Sequence, residues 1–406
     1  MTDAGVRFLY IGLNHSVGGS RLFYRQMPAV RSERPDVKLY FLASKYKADF
    51  GSEDDLPTSL DVEIVKPPAS TVNPSTNRDW STYGRIERSL RFRWNRLREK
   101  WRFWTWKYRE MLRIRPDVVQ ASDARELPYA VILMWLVGYT LIYDSHEDYF
   151  NQVYEYRGKT WKALFEALWL SAKEFVFARF CDRVFVTSAS HQEKYERTLY
   201  GVDTAHLLPN FTPNWLSLPK PPYKASSTLR LVYVGTVNRY RGVLEVAKFS
   251  RRFNQQHQRR TLRFHYIGVS HPLVDELESQ DLIVGEGAFS FPTMMENLQR
   301  YNVGVCLLHD IKKFRTSVPI KNFDYMAAGL PVLTSNFGEM KRYVSEAGAG
   351  LCIDPVEYEE FEEAILRLFD PAVRKRLGQA GQAYTRGPGS FDRYVKPYLD
   401  AIPDPK

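Results

Sequence analysis

Thirteen short runs of β-branched and aromatic residues punctuate the chain, separated by stretches with helical spacing. Seven lie at residues 6–13, 37–44, 61–66, 117–122, 140–145, 183–188 and 205–210. Six more lie at 229–235, 262–268, 281–285, 303–309, 331–335 and 350–354. Strands alternating with helices in this way build parallel α/β sheets. The alternation stops once, in "TPNWLSLPKPPYKASST" (212–228), where Pro213, Pro219, Pro221 and Pro222 stand among Ser and Lys as in a linker. A chain of 406 residues is also too long for one ordinary core. The expected fold class is therefore α/β, with two doubly wound domains joined by a hinge at 212–228.

Composition excludes several classes. Hydrophobic residues make up 44% and charged residues 26%, which describes a folded globular chain. Cys181, Cys306 and Cys352 are odd in number, far apart and set in apolar runs. They read as buried thiols in a reducing compartment. "MTDAGVRFLYIGL" lacks the basic region and long apolar stretch of a leader, so a cytoplasmic location is expected. The uncharged run Leu127–Tyr143 falls short of the ~20 residues of a spanning helix. Gly138 divides it, and it reads as a buried helix followed by a buried strand. GxxxxGK[ST], GxGxxG after the first strand, HExxH and GxSxG are all missing, and no metal-ligand cluster is visible. Neither a metal nor a cofactor is expected.

Charge is concentrated. Residues 78–115 hold thirteen Lys or Arg and four Asp or Glu, a net of +9 in a chain of +10, together with five of the nine tryptophans. Within 80–113, the residues Leu90, Trp94, Leu97, Trp101, Trp104, Tyr108 and Met111 recur at intervals of four and three. This stripe is expected to cover the first domain's sheet. Phe92, Phe103 and Trp106 fall on the opposite face of that helix among Arg85, Arg88, Arg96, Arg102 and Arg113. Outward aromatics ringed by cations suit the surface of an anionic membrane. Nucleic acid could meet the same face by stacking, although no nucleic-acid partner is expected.

Two strand ends carry candidate binding loops. "NHSVGGS" (14–20) places Gly18 and Gly19 in a tight turn before a helix, a place for a phosphate or a sugar hydroxyl. "YVGTVNRYRGV" (233–243) ends a strand at Gly235 and starts a helix near Gly242, with Arg239 and Arg241 between them. Arginines beyond the carboxyl end of a strand can neutralise a diphosphate. In "KNFDYMAAGLPVLTS" (321–335), Lys321 and Asp324 sit three apart on one face of a small-residue helix.

"YDSHED" (143–148), "LLPN" (207–210), "VGTVNRYRGV" (234–243) and "VPIKNFDYMAAGLPV" (318–332), in that order across the hinge, resemble the GT-B glycosyltransferases of the family-4 type. The resemblance implies two Rossmann-like domains facing each other across a cleft. The N-terminal domain (1–211) would take a saccharide or lipid-linked acceptor. The C-terminal domain (229–386) would take a nucleotide-diphosphate sugar, and a final helix (387–406) would return to the first domain. It implies transfer with retention, in cell-surface polysaccharide or glycolipid synthesis. Arg241 stands where the family has the lysine that grips the donor diphosphate, with Arg239 as helper. Lys321 matches a family variant, and Ser317 and Val318 would offer N–H groups to the phosphates. Asp324 stands where a glutamate holds the nucleotide ribose, and His146 corresponds to a histidine beside the donor sugar. Two positions depart from the pattern: Thr316 replaces the first glutamate of E-x7-E, and Thr236 replaces an arginine after the strand. A GT-B-shaped sugar-nucleotide epimerase and a basic, non-enzymatic binder are the alternatives.

Overall fold

The computed structural model describes residues 5–12, 19–43, 56–57, 60–67, 85–156, 158–197, 205–216, 218–219 and 223–405. The first sheet contains β1 (Arg7–Gly12), β2 (Lys38–Ala43), β3 (Val62–Val65), β4 (Val118–Ala121), β5 (Thr140–Ser145), β6 (Arg183–Val186) and β7 (Ala205–Leu207), in the order β3-β2-β1-β4-β5-β6-β7. The second contains β8 (Thr228–Val234), β9 (Thr261–Ile267), β10 (Val284–Gly287), β11 (Val303–Cys306), β12 (Val332–Ser335) and β13 (Gly350–Ile353), in the order β10-β9-β8-β11-β12-β13. Every pairing is parallel. In each sheet the strand order reverses beside the first strand, between β1 and β4 and between β8 and β11. Such switch points open a crevice at the strands' carboxyl ends. The least accurate strand expectation was 281–285. There Ile283 is drawn into the core as a loop residue, and pairing starts only at Val284.

One apolar core, holding Phe8, Phe41, Phe211, Phe323 and Tyr398, extends across both domains. The chain's last residues contribute to it. Thr212 bridges Ser390, and the Tyr398 hydroxyl bonds to Gln120 Oε1 and stands 3.2 Å from the Tyr10 hydroxyl in the first domain. Residues 391–399 form two short helical turns rather than one helix.

Two helical expectations need correction. The basic helix runs from Arg85 to Ile114, but it is rotated from the expected facing, so that of the expected inner stripe Met111 is buried and Trp104 half-buried. Trp106 is buried and Phe103 half-buried against the sheet, whereas Trp94, Trp101 and Tyr108 of the expected inner stripe are exposed. The Phe92 side chain lies outside the described residues. A polar contact fixes this rotation: Lys107 Nζ, one residue from Trp106, is buried 2.7 Å from Glu126 Oε1. Trp106→Ala is accordingly expected to cost about 3 kcal/mol of stability, whereas Trp101→Ala should barely move a denaturation midpoint. The second correction concerns Leu127–Val137. It is a helix ending at Gly138 in the left-handed conformation, yet Tyr129, Ile132, Trp135 and Leu136 face solvent.

Candidate active site

The loop after β8 is shaped by two glycines. Gly235 has φ +114°, and a Cβ there would stand 3.6 Å from Lys321 Nζ. Gly242 has φ +65°, and a Cβ there would run into the Leu307 carbonyl, so glycine alone lets the next helix abut the end of β11. Between them the Asn238 side chain accepts from Tyr240 N, and its carbonyl accepts from Arg241 N. This turn brings Arg241 back towards the crevice. Opposite, the helix Ile320–Ala327 begins after Pro319, and Asn210 of the first domain donates to the Val318 carbonyl at 2.9 Å. Its first N–H groups have no intrahelical acceptor.

These elements enclose a cavity of about 480 Å³ between the two domains. Of the expected site residues, Gly19, His146, Gly235, Arg241, Ser317, Val318, Lys321 and Asp324 all line it. Gly18 lies outside the described residues. Thr236, Arg239 and Thr316 are not in the lining. Thr236 is exposed and accepts from the Tyr233 hydroxyl through its carbonyl. Arg239 is exposed over the Tyr240 ring, and Thr316 Oγ1 turns back to the Lys313 carbonyl. A larger groove of about 690 Å³, beside the C-terminal segment, contains none of the expected site residues.

Lys321 is the most unusual group in the cavity. Its Nζ is buried, lacks a hydrogen-bond partner and lies 3.6 Å from the centre of the Tyr233 ring. Burial, aided by the nearby Arg241 charge, pushes its pKa down to about 7. The lysine is poised to be recharged by an anion. His146 Nδ1 sits 3.2 Å from the Asp144 carbonyl, at the end of β5.

Asp324 lines the cavity, but its Oδ1 is 2.6 Å from the buried guanidinium of Arg25, across the domain boundary. Sequence reasoning missed that partner, as it missed Arg21, Asn210 and Lys313 in the cavity lining. Arg21, two residues after Gly19, forms a buried two-pronged pair with Asp144. Burial works to raise the Asp144 carboxyl, yet Arg21 and the Gln26 amide hold it down to about 2. Lys313 reaches Glu147 of the first domain at 3.1 Å. Glu155, also of the first domain, accepts the N–H groups of Lys312 and Lys313 at 3.1 and 3.0 Å. Arg21 could have been suspected from its place after the glycines and Asn210 from "LLPN"; nothing local marks Lys313.

Residues 228–370 match the family model described as glycosyl transferases group 1. No curated protein matches. Among solved structures, the chain is similar to sucrose-phosphate synthase from Thermosynechococcus elongatus, with 16% identity, 96% of each chain covered and a TM-score of 0.68. It is similar to WaaG, a glycosyltransferase involved in lipopolysaccharide biosynthesis (14%, 98% of each chain, 0.63). It is also similar to Anabaena HepE in complex with UDP and glucose (12%, 98% of each chain, 0.63). At such identities the likeness establishes the fold. The C-terminal domain is thus similar to the glycosyl transferases of group 1, and the two domains together have the GT-B fold.

Proposed function

We propose that the chain transfers a sugar, with retention and without a metal ion, from a nucleotide-diphosphate sugar to a saccharide or lipid-linked acceptor. The observation that carries this reading is the buried, unpartnered Lys321 Nζ beside Arg241 at a helix N-terminus in the interdomain cavity. Two cations and a helix dipole placed there suit a diphosphate. In the transfer, the bond from the anomeric carbon to the phosphate oxygen breaks and its electron pair leaves with the diphosphate. The acceptor hydroxyl oxygen bonds the anomeric carbon, and its proton passes to a leaving phosphate oxygen. Arg241 and Lys321 stabilise the charge that develops on the diphosphate. Ser317 and Val318 face the phosphates, Gly19 and Gly235 leave them room, and His146 sits against the donor sugar. The Asp324 carboxylate holds the binding domain to the acceptor domain through Arg25.

The setting proposed is cell-surface polysaccharide or glycolipid synthesis at the cytoplasmic face of a membrane. HepE was observed with UDP and glucose, which makes UDP-sugars the first donors to try. Incubation with a series of nucleotide sugars and a membrane lipid extract should release nucleoside diphosphate and label a lipid or saccharide product, in EDTA as well as without it. Interconversion of the free sugar nucleotide, with no transfer, would make the chain an epimerase instead. His146→Ala is expected to lower kcat by about 10²-fold with little change in KM, read from initial rates.

A further inference from the structure

Fifteen of the eighteen strongly exposed large apolar side chains among the described residues lie between Trp94 and Phe180. They form one surface from three helices, Arg85–Ile114, Leu127–Val137 and Trp161–Ala178. Trp104 of the first stacks on Tyr129 of the second. Trp135 of the second meets Phe180, just past the third, edge to face at 5.3 Å.

The third helix is built inside out. Its inner face is Ala163, Ala167, Leu170, Glu174 and Ala178, small apart from Leu170 and including a carboxylate satisfied by Tyr143, Tyr195 and Ser145. Its large side chains, Trp161, Phe165, Leu168 and Trp169, point outward. A helix whose outer face ends in water puts its bulk inside and its charge outside. Reversal over a contiguous area marks a surface that is covered by something apolar.

We propose that this surface lies on an anionic lipid bilayer. Cations are interleaved with the rings: Lys162 lies 5.6 Å from the Trp161 ring centre, Lys173 5.1 Å from that of Trp169, and Arg179 3.7 Å from that of Phe175. Arg98, Arg102 and Arg109 are exposed on the neighbouring basic helix. Glu166 is the only carboxylate on the outer side of the third helix. Tryptophan edged by Lys and Arg matches the boundary between acyl chains and anionic headgroups. A second copy of the chain fits poorly. A two-fold interface would set the basic helix, with eleven Lys or Arg against three Glu, close to its own image. No helix among the described residues is long and apolar enough to cross a membrane, so the surface rests on the bilayer.

The test is flotation with vesicles of phosphatidylcholine containing about one third phosphatidylglycerol. The wild type should float with them and lose binding as salt rises. Trp135→Ser, Trp161→Ser, Phe165→Ser and Trp169→Ser combined should reduce the bound fraction by about 10-fold or more. All four side chains are more than half exposed, and unfolding curves of the variant confirm that it folds. Its transfer to a soluble acceptor should be unchanged, which separates this proposal from the assignment of the donor site. Equal flotation of variant and wild type, equal binding to pure phosphatidylcholine, or no binding by the wild type would each overturn it. So would a wild-type dimer that the variant breaks.

Discussion

Lys321→Ala and Arg241→Ala are each expected to lower kcat/KM for the donor sugar by at least ~10²-fold, about 2.7 kcal/mol of transition-state stabilisation. A positive charge on Lys321 is costly without an anion beside it, because its Nζ is desolvated and has no hydrogen-bond partner. Its pKa there is about 7, against about 10.5 in the unfolded chain. Between those values the unfolded chain binds more protons, so this group's contribution to stability rises with pH across that window. An incoming diphosphate reverses the balance by favouring the ammonium. Above pH 7 binding should therefore take up a proton, and donor affinity should fall as pH rises. Calorimetry of nucleoside diphosphate binding in buffers of different ionisation enthalpy measures that uptake. Lys321→Ala should abolish it, and Lys321→Arg should abolish it while keeping more of the affinity. Wild-type turnover by both alanine variants would remove these residues from the donor site.

What the sequence disclosed depended on the range of the interactions involved. The strands were visible because β-branched runs and glycine stops are local, and the loop after β8 because Gly235 and Gly242 impose backbone shape over a few residues. The rotation of the basic helix was not visible. Both of its faces carry aromatic rings, and periodicity cannot choose between two such faces. The choice rests on Lys107 meeting Glu126, a pairing with no local signature. In Leu127–Val137 the apolar residues go all the way round, so no period distinguished an outer side. Arg239 and Arg241 looked equivalent two residues apart, yet the Asn238 turn points only Arg241 into the cavity. The partners of Asp324 and Lys313 come from the other domain, and a single sequence holds no record of such pairs.

Asp324→Ala should destabilise the unliganded protein by about 3–5 kcal/mol. Arg25 and Asp324 are 299 positions apart, and both side chains are nearly inaccessible, at 0% and 7% exposure. The guanidinium also donates to the Phe211 and Ser20 carbonyls, which satisfy its N–H groups but carry no net charge. Removing the carboxylate therefore leaves an uncompensated cation in the core shared by the two domains, and that penalty is what the variant measures. Asp324→Asn, which keeps the shape and one acceptor, should fall between alanine and wild type. Arg25→Met with Asp324→Leu removes both charges and should recover most of the loss, since apolar residues of similar volume replace buried ion pairs at little cost. Chemical denaturation midpoints of the four proteins, taken without nucleotide, give the comparison. Had Asp324 served only the nucleotide ribose, as its family position implies, Asp324→Ala would leave these midpoints at the wild-type value and weaken nucleotide binding alone. That result would sink the interdomain role and restore the ribose assignment.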